Sequence, residues 1–409
     1  MTRILTAAFA TACLLFLSAP PAASFDFNPF GFQRAPNPSP RPHTVTPRPP
    51  SQVEITGSIS ASGDVDDTVR FIAGLAPPAN SPIAPLTRDE SWQHHARYFD
   101  LAFGELDRTQ LSKVRAWSKT HIRTHRPTVY YMFSGPDFLY ADALFPDATT
   151  YVLAGLEPVG QIPDLLKMPR GSLGPSLHTV SNAMHTVLSF SFFITHNMRS
   201  QLSSGRLNGT IPILYVFLAR SGKTVKEVSL VNLDADGNER PESPGAKSGA
   251  HGVKILFSGK DGREQTLYYF STNLANDGVP NSGFLKFLEK LGPADSLLKS
   301  ASYLPHSGSF SKIRDFLVAN STTILQDDSG VPLAYLDPKK WQVEPFGRYM
   351  HPLGIFPGTY QPRLQDLFKK AAPIDFGYGY RWRRNESNLL LAVRNDAAVT
   401  GSAGPANKP

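Results

Sequence analysis

The chain has 409 residues, with 41 Lys and Arg against 34 Asp and Glu, which gives a formal net charge of +7. Hydrophobic residues make up 41% of the chain, enough for a large core, so the composition excludes a wholly disordered protein. The single cysteine excludes a disulfide scaffold and a metal site built on cysteines.

The first residues have the three parts of a secretory signal peptide. A positive charge at Arg3 precedes an apolar run from Ile4 to Leu17, and small residues follow at Ala22 and Ser24. The apolar run is shorter than a comfortable bilayer span. We therefore expect residues 1–24 to be cleaved, leaving a secreted or periplasmic protein with no transmembrane segment. Export disfavours a nucleic-acid partner despite the positive net charge.

Proline marks the start of the expected mature chain. Residues 25–50 contain eight prolines, and proline fixes φ and removes a backbone donor. We accordingly predict a disordered linker at residues 25–62, a single α/β domain at residues 63–393 and a disordered tail at residues 394–409.

Two amphipathic helices open the predicted domain. Apolar residues recur at three- and four-residue spacing from Trp92 to Leu106 and again from Leu111 to Trp117. His95 lies on the apolar stripe of the first helix, which favours a hydrogen-bonded core histidine.

The next segment predicts a βαβ unit. A strand ending at Phe133 is followed by a turn, a short helix at 138–145 and a buried strand at 150–156. Ligands of parallel sheets bind at the carboxyl ends of the strands. The candidate site residues at these ends are Ser134, Gly135, Asp137 and Glu157.

The spacing between this turn and Glu157 resembles dinucleotide- and methyl-donor-binding folds, in which an acidic residue follows a glycine turn by about twenty positions. The chain departs from that pattern because Gly135 stands alone where a phosphate-cradling loop uses three glycines. We therefore predict no such cofactor.

A second segment has a similar pattern. It is predicted to contain a strand up to Leu304, a turn with His306 and Ser309, a helix at 310–319 and a strand at 322–326. His306 and Ser309 are thus further candidate ligand-binding residues. Whether the two segments arose by duplication is left open.

Antiparallel strands are predicted in the middle and at the end of the chain. The expected strands are 211–218, 227–233, 253–257 and 265–270, with a C-terminal hairpin of 376–382 and 389–393. The predicted fold is α/β, with a mixed, mainly parallel Rossmann-like sheet flanked by helices, antiparallel strand insertions and a C-terminal β-hairpin.

Residues 171–198 carry no charge, and their pattern predicts a helix from Pro175 to about Arg199. Polar residues at helical spacing form a stripe along it: His178, Ser181, Asn182, His185, Ser189 and His196. A solvent-facing stripe would normally carry Lys or Glu, so we expect this one to be buried.

Two interpretations of the stripe remain open. It is either an internal hydrogen-bond network or the wall of a polar pocket that binds a ligand through Asn182, Ser189 and His196. In the second case His185 or His178 is the candidate general base, with Asp137 or Glu157 as its acidic partner.

Asp234 and Asp236 match the opening of a calcium loop, but Ser243 occupies the twelfth position, where such loops have a bidentate Glu. A tight turn is the favoured interpretation and structural calcium the alternative. No other metal or cofactor is predicted.

Three functions are compatible with the sequence. The favoured one is an exported envelope protein that binds a small or anionic ligand in a His-lined cleft, aided by basic residues near Arg381. The second is an exported hydrolase or transferase that uses a histidine base. The third is a structural envelope component without catalytic activity.

Overall fold

The computed structural model describes residues 62–169, 171–190, 205–242 and 249–395. The predicted signal peptide and nearly all of the linker and tail lie outside these residues, as does His196. Their assignments stay predictions.

Within the described residues, ten strands form one sheet. They are β1 Thr128–Met132, β2 Thr150–Gly155, β3 Thr224–Leu233, β4 Glu239–Pro241, β5 His251–Ser258, β6 Glu264–Ser271, β7 Ala294–Leu298, β8 Ser321–Gln326, β9 Trp341–Gly347 and β10 Asn388–Arg394. Their order across the sheet is β4-β3-β5-β6-β2-β1-β7-β8-β10-β9. The neighbours β6, β2, β1, β7 and β8 are parallel. The other five pairings are antiparallel. The predicted α/β class is confirmed, with a mixed sheet.

The described α-helices are α1 Ser62–Ile72, α2 Glu90–Leu106, α3 Ser112–His121, α4 Phe138–Leu144, α5 Leu173–Phe190, α6 Ile211–Arg220, α7 Phe284–Leu291, α8 Ser311–Asn320 and α9 Pro362–Phe368. A single π-helical turn, Asp107–Leu111, joins α2 to α3. None of these helices has both the length and the apolar composition needed to cross a bilayer.

Helices cover both faces of the sheet. Val129 and Tyr131 of β1 pack into the core under α1 to α6, while Tyr130 and Met132 pack under α7 to α9. This alternation follows from the period of two in a strand, and burial on both faces explains why β1 has no polar side.

Both predicted βαβ units are present. The first is β1–α4–β2, whose parallel register pairs Thr128 with Thr150. The second is β7–α8–β8, but its first strand ends at Leu298, earlier than the predicted Leu304. The residues between, Ser300 to Tyr303, adopt positive φ at three positions, which no strand accommodates.

The prediction of a strand at 211–218 is wrong. These residues belong to α6, in which Ile211 to Ala219 are all buried. A helix that is buried on every side loses its amphipathic period, so its apolar run cannot be distinguished from a buried strand by pattern alone.

The predicted C-terminal hairpin is also wrong. β10 lies between β8 and β9, and the only strand-like pairing within 376–382 is an isolated bridge between Tyr378 and Arg381. The true partner, β9, contains Pro345, which is tolerated because β9 is an edge strand. That proline and the polar residues around it weaken the strand pattern.

The two predicted amphipathic helices and the role of His95 are confirmed. His95 is 5% exposed on α2, with Nε2 2.7 Å from Ile72 O and Nδ1 3.0 Å from Ser181 Oγ on α5. Burial lowers the pKa of His95 to about 4, so its imidazole is neutral in the folded protein at pH 7.

Candidate functional site

The backbone is strained where the parallel strands end. The segments that follow β1, β2, β7 and β8 are called the carboxyl edge below. They are residues 133–137, 156–157, 299–306 and 327–329. All four described non-glycine residues with positive φ lie in it: Phe133 (61°), Ser300 (54°), Ser302 (51°) and Tyr303 (53°). Each such residue costs about 1–3 kcal/mol and persists only where its surroundings hold it, which is why such residues cluster at functional sites.

A buried ion pair joins the ends of β1 and β7. Lys299 Nζ lies 2.8 Å from Asp137 Oδ2, and both side chains are almost completely buried. The hydroxyl of Tyr131 donates to the same oxygen at 2.8 Å, and the ammonium lies 3.9 Å from the ring centroid of Tyr140. Asp137 also caps α4 by accepting from Tyr140 N at 3.3 Å. The charge pair therefore has the additional partners that a buried pair requires.

Asp327, directly after β8, holds the strained segment after β7 in place. Its Oδ2 accepts from Ser300 N at 3.0 Å, and its Oδ1 accepts from Ser329 N at 3.0 Å and from the Ser329 hydroxyl. Burial, followed by the charge of Asp328, raises the pKa of Asp327 to about 7 despite these donors. Burial therefore favours the protonated form of this carboxyl group to a higher pH than for an exposed aspartic acid.

Asp328 fixes the other end of that segment. Its Oδ2 accepts from the hydroxyl of Tyr303, and its Oδ1 accepts from Asn388 Nδ2 at 2.9 Å. Burial raises the pKa of Asp328, while the hydrogen bonds and the charge of Arg381 oppose the rise. Two neighbouring carboxyl groups thus share one poorly solvated site.

Glu157, the second residue after β2, is 1% exposed and lies against two glycines. A Cβ at Gly155 would be 2.3 Å from Glu157 Oε2, and one at Gly135, where φ is +56°, would be 3.4 Å from the carboxylate. The Tyr269 hydroxyl lies 2.9 Å from the backbone O of Glu157 and 3.3 Å from its Oε2. The preceding residue, Leu156, is 52% exposed. A buried carboxylate and an exposed apolar side chain therefore stand side by side.

The carboxyl edge has an excess of buried acidic groups. Asp137, Glu157, Asp327 and Asp328 are buried there, and Lys299 forms an ion pair with Asp137. Among the described residues, the other three carboxyl groups form no ion pair with Lys or Arg within 4.0 Å. Such groups must be protonated or receive hydrogen bonds.

Several buried polar atoms in or near this edge make no hydrogen bond within the described part of the chain. Seven buried side-chain N or O atoms among the described residues make no hydrogen bond, and three of them are Ser300 Oγ, His306 Nε2 and Tyr378 Oη. The phenol of Tyr378 is close enough to Asp327 and Asp137 for their charges to raise its pKa further, beyond the effect of burial. Native proteins satisfy most buried polar groups, so water or a ligand is expected to hydrogen-bond to Ser300 Oγ and Tyr378 Oη.

His306 is the one predicted site histidine that the structure places at the carboxyl edge. It follows β7, packs edge-to-face on Tyr303 with ring centroids 5.3 Å apart, and faces the backbone of Asp328. Burial lowers the pKa of His306 to about 4, so the ring is neutral at pH 7.

The expected burial of the polar stripe is wrong where it can be described. His178, Asn182 and His185 on α5 are exposed, and Asn182 Nδ2 lies 3.1 Å from His178 Nδ1. Only Ser181 turns inward, to His95. Water hydrogen-bonds to uncharged polar side chains as well as to charged ones, so the absence of Lys and Glu did not indicate burial.

The stripe is therefore not joined to the predicted acidic partners. Within the described part of the chain, no hydrogen bond links His178 or His185 to Asp137 or Glu157. Ser189 lies in α5, but its side chain, like all of His196, is outside what the structure describes.

The remaining predicted residues occupy turns. Ser134 is buried and its hydroxyl donates to the backbone O of Gly135 at 2.8 Å. Ser309 is exposed, and its carbonyl accepts from Asn276 N at 2.7 Å. Ser134 thus belongs to the carboxyl edge, whereas Ser309 lies at its exposed border.

Lys299, Asp327 and Asp328 were not identified from the sequence as candidate site residues. The predicted strand extends to Leu304 and includes Lys299, so Lys299 was not recognised as the first residue after a strand. The usable signal for all three was an ionisable residue within two positions of the end of a short, fully buried strand.

The Asp234 segment forms a turn. Asp234 Oδ1 accepts from Asp236 N and Asn238 N at 3.0 and 2.8 Å, and Oδ2 accepts from Asn238 Nδ2 and Arg240 Nε at 2.9 and 3.1 Å. These donors, Asn238 foremost, lower the pKa of Asp234 to about 2. Calcium at this turn stays an untested prediction. No cluster of three or more His, Cys, Asp or Glu among the described residues is arranged to hold a metal ion.

Comparison of the chain with known protein families, characterised proteins and solved structures finds no match.

Proposed function

We propose that the protein binds a small, hydrogen-bond-donating ligand at the carboxyl edge. The observation that carries this proposal is the coincidence, at the ends of neighbouring strands, of the four strained residues and the excess of buried carboxyl groups. Backbone strain and buried carboxyl groups without an ion pair both lower the stability of the fold. Their coincidence at one edge therefore favours a role in function rather than in stability.

The charges of the edge indicate the chemistry of the ligand. In their ionised forms Glu157, Asp327 and Asp328 would repel an anion, and the buried ammonium of Lys299 is already paired with Asp137. Hydroxyl or ammonium groups of a ligand would donate to these carboxylates, and a flat apolar part would lie on Leu156. The sequence predicted a small or anionic ligand, and of these alternatives we favour a small nucleoside-, sugar- or amine-like one.

The order of the strands supports this location. Counted in chain order among themselves, the parallel strands β6, β2, β1, β7 and β8 run 3-2-1-4-5 across the sheet. That is the order of doubly wound Rossmann folds, whose ligands bind where it reverses, here between β1 and β7. The sequence resemblance to dinucleotide- and methyl-donor-binding folds concerns the same edge. Fold analogy of this kind locates a site and does not identify a reaction.

The proposal is tested by binding measurements with defined probes. Adenosine, glucose and putrescine represent donor-rich ligands, and citrate and phosphate represent anions. We expect a thermal shift with at least one donor-rich probe and none with the anions. Leu156→Ala should weaken that binding, whereas Leu166→Ala, which truncates a leucine that is 60% exposed outside the carboxyl edge, should not. Binding of the anions alone would refute the proposal.

A second candidate is general acid–base catalysis at the same edge. It is favoured by the neutral imidazole of His306 beside an acidic pair in which Asp327 has a pKa of about 7. Chromogenic acyl, glycosyl and phosphoryl esters are suitable probes. Turnover that is lost in both His306→Gln and Asp327→Asn would support catalysis, whereas turnover unaffected by both would exclude these residues from it.

Export is a separate proposal that rests on residues 1–24 alone. N-terminal sequencing of the protein recovered from its native host should give a chain that starts near Phe25. An intact Met1 would contradict export by this route.

A further inference from the structure

An apolar cleft of about 390 Å³ opens beside the edge strand β9. Its walls come from the turn before β9, from β9 itself and from α9. They are formed by Leu333, Ala334, Leu336, Pro338, Trp341, Val343, Arg363 and Leu367. Seven of these eight residues are apolar, and the volume is in the range of small-molecule sites.

Trp341 gives the cleft a rigid floor. It is 3% exposed, and the guanidinium of Arg394 lies 5.6 Å from its ring centroid. Arg394 is itself held by a 2.7 Å hydrogen bond from Nη1 to Ala319 O. The cleft therefore does not depend on a side chain that is free to rotate into it.

Arg363 is the one charged residue among the lining residues. It is exposed, and within the described part of the chain it forms no ion pair with a carboxylate. The nearby carboxylates are already engaged, since Asp366 pairs with Lys369 at 2.7 Å and Asp337 accepts from Lys339 N at 2.9 Å. An unpaired guanidinium at the rim of an apolar cleft is complementary to an anionic group carried on an apolar chain.

We propose that this cleft binds a single-chain anionic amphiphile, with the chain on Trp341 and the anionic group at Arg363. The volume of 390 Å³ corresponds to roughly a dozen non-hydrogen atoms at the ~30 Å³ that one water occupies in the liquid. This matches a medium-length alkyl carboxylate. The site uses none of the residues of the carboxyl edge, so it is independent of the function proposed there.

Calorimetric titration of the full chain with decanoate, below its micellar concentration, tests the site. We expect saturable binding that Arg363→Gln weakens about threefold at low salt, as for an exposed ion pair. Ala334→Trp, a change at an exposed position of the rim that fills the cleft, should weaken it at least about tenfold by displacing the chain from apolar surface. 1-Decanol should bind more weakly than decanoate, and acetate should not bind.

Two matched variants control for charge and bulk. Arg88→Gln removes another exposed arginine, and Ala116→Trp adds the same bulk on the exposed side of α3. Neither should change decanoate binding, and melting curves should show that all four variants fold. No binding of decanoate, equal binding of decanol, or equal effects of Ala334→Trp and Ala116→Trp would each overturn the proposal.

Discussion

The polar stripe of α5 and the carboxyl edge show opposite relations between charge and burial. The stripe carries no charged residue, yet His178, Asn182 and His185 are exposed. The carboxyl edge carries four carboxyl groups and an ammonium, yet all five are buried. Composition alone would predict a buried stripe and an exposed carboxyl edge.

The difference lies in the partners that each region offers. Water satisfies an exposed imidazole or amide at no cost, so nothing requires the stripe to be buried. A buried carboxylate is tolerated only where donors surround it, as Ser300 and Ser329 surround Asp327. Substitutions should therefore have large effects at the edge and small effects on the stripe.

The largest expected effect is that of Lys299→Met. It removes the only buried ammonium at the edge and leaves Asp137 unpaired, which should lower the free energy of unfolding by about 3–5 kcal/mol. Urea denaturation followed by circular dichroism measures this. The double variant Lys299→Met/Asp137→Asn should regain much of the loss, because it removes the stranded charge as well. A single variant as stable as the wild type would contradict the ion pair.

His95→Leu should have an intermediate effect. It deprives the backbone O of Ile72 and the hydroxyl of Ser181 of their partner, at a cost of about 1–3 kcal/mol in urea denaturation. The loss of stability measures how much the contact of His95 with Ser181 on α5 contributes. Unchanged stability would show that α5 does not depend on this histidine.

Asp327 makes stability depend on pH in a direction that can be tested. Its pKa rises from 3.8 in the unfolded chain to about 7 in the folded one, so the unfolded chain loses its proton first. Stability is therefore lost as pH rises from about 4 to about 7, with a slope on the order of 1 kcal/mol per pH unit. Asp327→Asn should gain stability relative to the wild type over this range.

The two buried histidines act in the opposite direction. Folding lowers the pKa values of His95 and His306 from 6.5 to about 4. Each histidine therefore makes the folded protein less stable as pH falls through this interval. Both are present in the wild type and in Asp327→Asn, so they cancel in the comparison. A pH-independent difference between these two proteins would contradict the raised pKa of Asp327.

His185→Leu should have the smallest effect, within about 0.5 kcal/mol, because the side chain is exposed. The same measurement on His95→Leu provides the contrast, since both changes remove an imidazole from adjacent helices. A loss of more than 1 kcal/mol from His185→Leu would place the stripe in a network after all.

The sequence predicted the parts of the fold that local pattern determines. The βαβ unit around Gly135 was found because strand, turn and helix each carry their own signal. α6 was predicted as a strand because a helix buried on all sides has no amphipathic period. β9 was missed because Pro345 weakens its strand pattern. These features depend on neighbours that no local window contains.

The candidate site was predicted in the same uneven way. Asp137 and Glu157 were found because they follow strands whose ends could be read from sequence, and His306 was found because it lies in a segment with a turn signal. Lys299 was missed with the end of β7, and its partner is 162 positions away in the chain, at Asp137. The exposure of His185 follows from the packing of α5, which the uncharged composition did not reveal.

The most direct test of the proposed ligand site is a backbone amide NMR titration with the donor-rich probe that gives the largest thermal shift. We expect the largest chemical-shift changes at Gly135, Glu157 and Ser300, with little change at Asn182 and His185 on α5. Changes confined to α5 would show that the ligand binds the polar stripe and would contradict a site at the carboxyl edge.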